Sequence, residues 1–272
     1  MTLAGAVAAT LPGVLRAAGT TSAAATPNLA ALLSAFAEEI LPLDPEAATS
    51  RGLDHGARTP LKSLLNDSSP AGTARWSKQV ESMLTRLAAI DPTGLSPSER
   101  ISYAAVKYAA TTAREGTRFF YGGGARAFTG SAPPYVVSQQ NGALTRIPEF
   151  LNTQHQIDGN ADAEAYLDRI SAMARLLDQE SALITEHAAR AVMPPSFIAS
   201  NALGQLVKFR KLPADQQPLV KSLATRTGTQ NLKGEWDKRA ASLVDAQLYP
   251  ALDRQIAAFT KSTSHAPDTA GV

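Results

Sequence analysis

Four histidines, His55, His155, His187 and His265, are the residues from which a zinc-dependent hydrolase would have to be built. Hydrolytic zinc is held by three protein ligands, with a further position left open for water. No two of these histidines stand four apart, so the HExxH pattern, which puts two ligands on one helix face, is absent. Glu186 and His187 adjoin, but helix neighbours point about 100° apart and do not converge on one ion. His187 therefore reads as an ordinary core or surface histidine. Nucleophile chemistry finds no better footing. Gly130-Ser131-Ala132 lacks the GxSxG elbow that exposes a serine, and no Ser-x-x-Lys occurs. Gly122-Gly123-Gly124 is not followed by a Lys at phosphate-loop spacing. No catalytic residue and no metal ligand is assigned.

The binding candidates lie in one stretch, Tyr121 to Asp158, long and punctuated by Gly and Pro within a chain that otherwise reads as helix after helix. Irregular segments longer than about 12–15 residues are uncommon inside a domain and are often functional. Tyr121, Tyr135, Gln139, Asn141 and Arg146 cluster here. Two readings fit them. In one they form a substrate-binding surface, with the amides of Gln139 and Asn141 offering donors and acceptors to a peptide backbone. In the other Tyr135 anchors the core and the amides satisfy the loop's own backbone.

The elements that position this segment are helical by periodicity. Leu29, Leu33, Phe36 and Ile40 mark a first stripe, ended at Pro42. Asp44-Pro45-Glu46 starts a short helix that Gly52 stops. Trp76, Val80, Met83, Leu87 and Ile90 form a 4-3-4-3 seam. Ser96 and Glu99 make a capping box for a helix whose stripe is Ile101, Ala105, Tyr108 and Thr112, and the two neighbours should pair antiparallel. Pro134 to Val137 reads as a short extended piece, and Ile147 to His155 as a helix with Pro148 in its first turn. A long helix is expected over 161–192, with Tyr166, Ile170, Met173, Leu177 and Ile184 inward and its Asp and Arg residues on the other faces. Further helices are expected over 197–209 and 218–225, and a last one over 235–260 that Pro250 kinks.

Composition bounds the partners. Lys and Arg total 26 against 24 Asp and Glu, a net charge of +2, which leaves no electrostatic footprint for nucleic acid or an anionic membrane. The chain has no cysteine and so no thiolate metal site or disulfide. Residues 1–26 are small and apolar, and Ala23-Ala24-Ala25 suits a signal-peptidase site. They read as an export signal without its basic start, implying a periplasmic or secreted protein. The stretch is too short and interrupted to span a membrane, which takes about 20 apolar residues. Residues 27–262 hold the helical part, and the polar residues 263–272 read as a disordered or truncated tail.

Several segments together resemble a known family. They are Pro45-Glu46-Ala47-Ala48-Thr49 with Gly52 and Asp54, the stretch from Gly122 through PYVVSQQNG, then IPEFLNTQHQID, AEAYLDRI and MPPSFI. Their order and spacing are similar to those of the bacterial family catalogued as domain of unknown function 885, over nearly all of the chain after residue 26. The resemblance implies an exported, largely helical, zinc-dependent peptidase of the thermolysin-like kind, about twice this length, with its HExxH-like motif in a C-terminal half. No residue here matches that motif, so the zinc would belong to that other half. The expectation is an all-α, irregular multi-helix array with one long Gly- and Pro-rich loop. Its function would be the non-catalytic N-terminal half of a peptidase-like hydrolase, lining part of a peptide-binding cleft and partnered by its own C-terminal half. The alternative is a stand-alone helical module that binds peptides or a protein. If the chain is half of a domain, the faces of Trp76, Tyr166 and Trp236 are expected to lack covers.

Overall fold

The computed structural model describes residues 28–122 and 133–269. The expectations placed on residues 1–26, Gly123, Gly124 and Ser131 lie outside them. Among the described residues all regular structure is helical, as the periodicity indicates, and no helix is long and apolar enough to cross a membrane.

The first part builds a small helical layer. Helix α1, Leu29–Ile40, is capped by Asn28, whose Oδ1 accepts from Ala31 N. Helix α2, Pro45–Ser50, is capped by Asp44 through Ala47 N. A 3-10 segment, Gly56–Ser63, and helix α3, Pro70–Ala88, follow. Trp76, Val80, Met83, Leu87 and Ile90 of the α3 seam are all buried. Helix α4, Pro97–Gly116, starts at the expected capping box: Ser96 N donates to Glu99 Oε2, and Glu99 N donates to Ser96 Oγ.

The inward face of α4 is not the expected one. Tyr103, Ala110 and Ala113 are buried, whereas Ile101 and Tyr108 are 71% and 75% exposed. The helix carries two apolar stripes. Small Ala110 and Ala113 bring its backbone close to Trp76 and Val80 of α3, which a bulky Tyr108 at that contact would prevent.

The second part is organised around α6, Asn160–Ala189. Helices α5, Ala143–Thr153, α7, Ser196–Lys211, α8, Pro218–Thr229, α9, Trp236–Leu243, and α10, Tyr249–Ser262, join it in one large apolar cluster. The stripe Tyr166, Ile170, Met173, Leu177 and Ile184 is buried as expected. One α6 residue departs from the expectation: Arg169, assigned to an outer face, is fully buried. The faces expected to lack covers are also closed within this chain, with Trp76, Tyr166 and Trp236 only 2%, 0% and 5% exposed.

Two further differences concern the last helix and the stretch that follows it. The last helix is two helices joined by a π segment, Val244–Leu248, just before Pro250. Pro250 donates no backbone hydrogen bond, and the wider π turn re-registers the ladder around it, so the chain continues instead of breaking. The polar stretch after α10 reaches back to α7: Ser196 N donates to the Pro267 carbonyl at 2.8 Å, and Ser196 Oγ to Asp268 at 2.7 Å. These contacts serve the α7 start, which has no side-chain cap.

Candidate functional site

The segment leading into α5 bends through residues 134–137, where a short extended piece was expected, and closes as a compact turn at 138–141. Ser138 N donates to the Asn141 carbonyl, and Ser138 Oγ accepts from Gln140 N and Asn141 N. The chain then passes Gly142 at φ 105° and enters α5 at Ala143, four residues earlier than expected. Pro148 sits inside the helix and leaves the Leu144 carbonyl without its usual partner. The early start has a tertiary cause. Glu180 of α6 accepts the first helical N–H, Ala143 N, at 2.7 Å, in place of a local cap.

Gly142→Ala is expected to cost about 1–2 kcal/mol, because φ is in the range that disfavours a Cβ and that Cβ would lie 3.2 Å from Val137 Cγ2. A thermal melt of the variant checks it; an unchanged midpoint would show that the turn relaxes freely.

Below this turn lies a pocket of about 210 Å³, room for about seven water molecules. Ser138, Asn141 and Thr145 stand on its turn side, Gln205 on α7, and Glu180 and Gln255 inside, with Val137, Leu206 and Phe209 as apolar wall. Glu180 is 4% exposed. Burial pushes its carboxyl up to about 7, against hydrogen bonds from Gln255 and Ala143 and the charge of Arg146, which favour the ionised form. Gln255 Nε2 donates to Glu180 Oε2 at 2.8 Å, and its buried Oε1 has no partner. Arrangement and polarity suit a small ligand that brings hydrogen-bond donors.

The five sequence candidates are not gathered here. Asn141 lines the pocket. Arg146 points to α2 and pairs with Glu46 at 2.9 Å, while Glu46 Oε1 accepts from Asn66 N. Tyr135 lines a separate narrow crevice with His187, Val192 and Phe259. Tyr121 stacks edge-on with Phe119 and Phe120, and Phe120 in turn meets His187. Gln139 is half-buried. Sequence reasoning missed Glu180 and Gln255. A signal for both existed: Glu180 interrupts the spacing Leu177, Glu180, Ile184, and Gln255 the spacing Leu252, Gln255, Phe259, each placing a polar residue where the periodicity calls for an apolar one.

A second buried polar cluster holds the molecule together. The Arg169 guanidinium donates to the Leu64 carbonyl at 3.0 Å, His155 Nδ1 at 2.8 Å, Thr49 Oγ1 at 2.6 Å and the Leu61 carbonyl at 3.3 Å. Thr49 Oγ1 donates onward to buried Asp54 at 2.7 Å. His155 Nε2 donates to the Asp162 carbonyl, which leaves Nδ1 as the acceptor for Arg169. Burial, then the Arg169 charge, push His155 down to about 4, so the ring is neutral.

Zinc, which the family resemblance implies, does not fit the described residues: no three His, Cys, Asp or Glu side chains converge among them. His155 has both ring nitrogens engaged, with the Asp162 carbonyl and with Arg169.

Comparison with known proteins places the fold. No curated protein matches the sequence. A crystal structure from Colwellia psychrerythraea, of a protein described as a putative lipoprotein, is similar with a TM-score of 0.73 at 19% identity, over 90% of this chain and 42% of the other. This chain thus spans about two fifths of the length of that solved protein. The profile of the family described as "Bacterial protein of unknown function (DUF885)" matches residues 45–271, and the chain belongs to that family.

Proposed function

We propose that this chain is the helical, non-catalytic part of a larger exported peptidase-like hydrolase, and that the pocket between the 133–142 turn, α5, α7 and α10 is a piece of its peptide-binding wall. The observation that carries the reading is the pocket itself, where an unpartnered buried amide oxygen and a buried carboxyl lie beside apolar wall residues under a polar turn. Pockets with a few convergent polar groups and perturbed carboxyls are the usual places for ligands. Family membership and the 42% span of the similar solved protein support a larger whole. In that whole the zinc and its activated water would belong to the other part, which would also be this chain's partner. The lipoprotein description of the Colwellia protein supports export.

A stand-alone binding module is the second reading, favoured by the closure of Trp76, Tyr166 and Trp236 within this chain. Both readings predict that the purified chain does not cleave peptides, and the cleft-wall reading predicts that it binds them, as does the module reading where the module's ligand is a peptide and not a protein. A photoreactive tripeptide is expected to label the 133–145 region or Gln205. Labelling confined to other surfaces would remove the cleft-wall reading, and chelator-sensitive peptide hydrolysis would remove the non-catalytic one.

A further inference from the structure

The pocket at the start of α5 has a polarity that its own side chains do not balance. Glu180 and Gln255, hydrogen-bonded to each other, both line its interior, and both carry acceptor oxygens. Gln255 is fully buried, commits its Nε2–H to Glu180 Oε2, and leaves Oε1 without a donor. Glu180 accepts only neutral N–H groups, from Ala143 and Gln255. Arg146, whose charge acts on it, is hydrogen-bonded to Glu46 instead. A buried carboxylate without a bonded cation and a buried amide oxygen without a donor are both costly. A single group relieves both if it carries positive charge and several N–H donors.

The wall narrows the rest of the ligand. Val137, Leu206 and Phe209 flank the acceptors with apolar surface. A guanidinium would spend its planar fork on the lone pair that each Glu180 oxygen has left, holding its other N–H groups in that same plane. A compact ammonium carries three donors in a cone, enough for one carboxylate lone pair and for Gln255 Oε1. We infer that this pocket binds a primary ammonium group attached to a small apolar side chain, which for a peptide is its free amino terminus and first residue. The inference rests on the reading of the pocket as peptide-binding wall and names the end of the peptide that it takes.

The test is calorimetric titration of the full chain at about pH 8 with three probes: the tripeptide Leu-Gly-Gly, its N-acetyl form, and isoamylamine. Leu-Gly-Gly is expected to bind at least about tenfold more tightly than the acetylated peptide, the scale of a lost hydrogen bond to a charged group. Glu180→Gln, which keeps size and shape, and Gln255→Leu should each weaken Leu-Gly-Gly by a similar factor. Glu180→Gln should do so without loss of folding, checked by its melting curve. Equal binding of the acetylated peptide would overturn the ammonium inference and leave the peptide wall standing. Isoamylamine binding as tightly as Leu-Gly-Gly would support the ammonium site and count against the peptide wall. No binding by any probe would overturn both.

Discussion

Arg169→Met should lower the stability of the protein by about 3–5 kcal/mol, the range for breaking a buried charge network by removing one partner. The loss is large because the guanidinium serves four acceptors, and its bonds to His155, Thr49 and Leu61 are buried. Without it the Leu61 and Leu64 carbonyls, His155 Nδ1 and Thr49 Oγ1 lose a donor, and Asp54, 7% exposed, loses the nearby charge that offsets its burial. Arg169→Lys should recover little, since an ammonium cannot reproduce a planar fork reaching three directions. The exposed pair Arg254–Asp178, with side chains 58% and 45% exposed, supplies the control: Arg254→Met should cost no more than about 1 kcal/mol. Urea denaturation of the three variants gives the comparison. Because Arg169 ties α6 to α2 and to the Gly56–Ser63 segment, its loss should also speed tryptic cleavage at Arg51, Arg58 or Lys62. A cost for Arg169→Met equal to the Arg254 control would mean that the cluster does not hold the two parts together.

The second large effect is on pH dependence, and it arises because two buried groups oppose each other. Glu180 is raised in the folded state from 4.5 to about 7. Its stabilising contribution is whole below the unfolded value and is lost as pH rises through about 7, a loss of about 3 kcal/mol for a shift of that size. His155 is lowered from 6.5 to about 4. Its contribution is whole above the unfolded value and is lost as pH falls through about 4, again about 3 kcal/mol. Between pH 4.5 and 6.5 one contribution falls while the other rises, so the two together leave stability nearly flat. Glu180→Gln removes one arm. Its amide oxygen can accept from Ala143 N, and its Nε2–H can donate to Gln255 Oε1 once the Gln255 amide turns over, because Gln255 Nε2 in the wild type donates to the oxygen that becomes the amide nitrogen. The variant should match the wild type near pH 4.5, gain about 1–3 kcal/mol at pH 8, and show stability that climbs with pH through the histidine window. Urea midpoints of the two proteins across that range measure the difference, in which titrating groups that do not interact with Glu180 cancel. Parallel profiles would show that Glu180 stays ionised throughout.

A single physical rule explains which residues could be read in advance. Periodicity tells which helix face is apolar, and it succeeded where a helix has one such face, as in α3 and along the Tyr166–Ile184 stripe of α6. It failed on α4, which has two, because only the neighbour decides which one is covered. Local chemistry was equally legible: the Ser96–Glu99 box and the Asp44 cap are closed by residues three apart. The start of α5 was not, since the group that accepts its first N–H lies 37 residues away.

The candidate site follows the same division. The polar turn before α5 was visible as a loop, and Asn141 does line the pocket. The side chains that give the pocket its polarity come from the middle of α6 and from α10, in positions where an apolar residue would satisfy the periodic pattern. The sequence by itself determined the helical class, most helix cores and caps, and the family. The tertiary structure alone decided that Arg169 points inward, that Glu180 and Gln255 face one pocket, and that Arg146 pairs with α2. The reason is that a helix's own pattern specifies its buried face to within a stripe, whereas hydrogen bonds between buried polar groups depend on which two stripes meet and at what register.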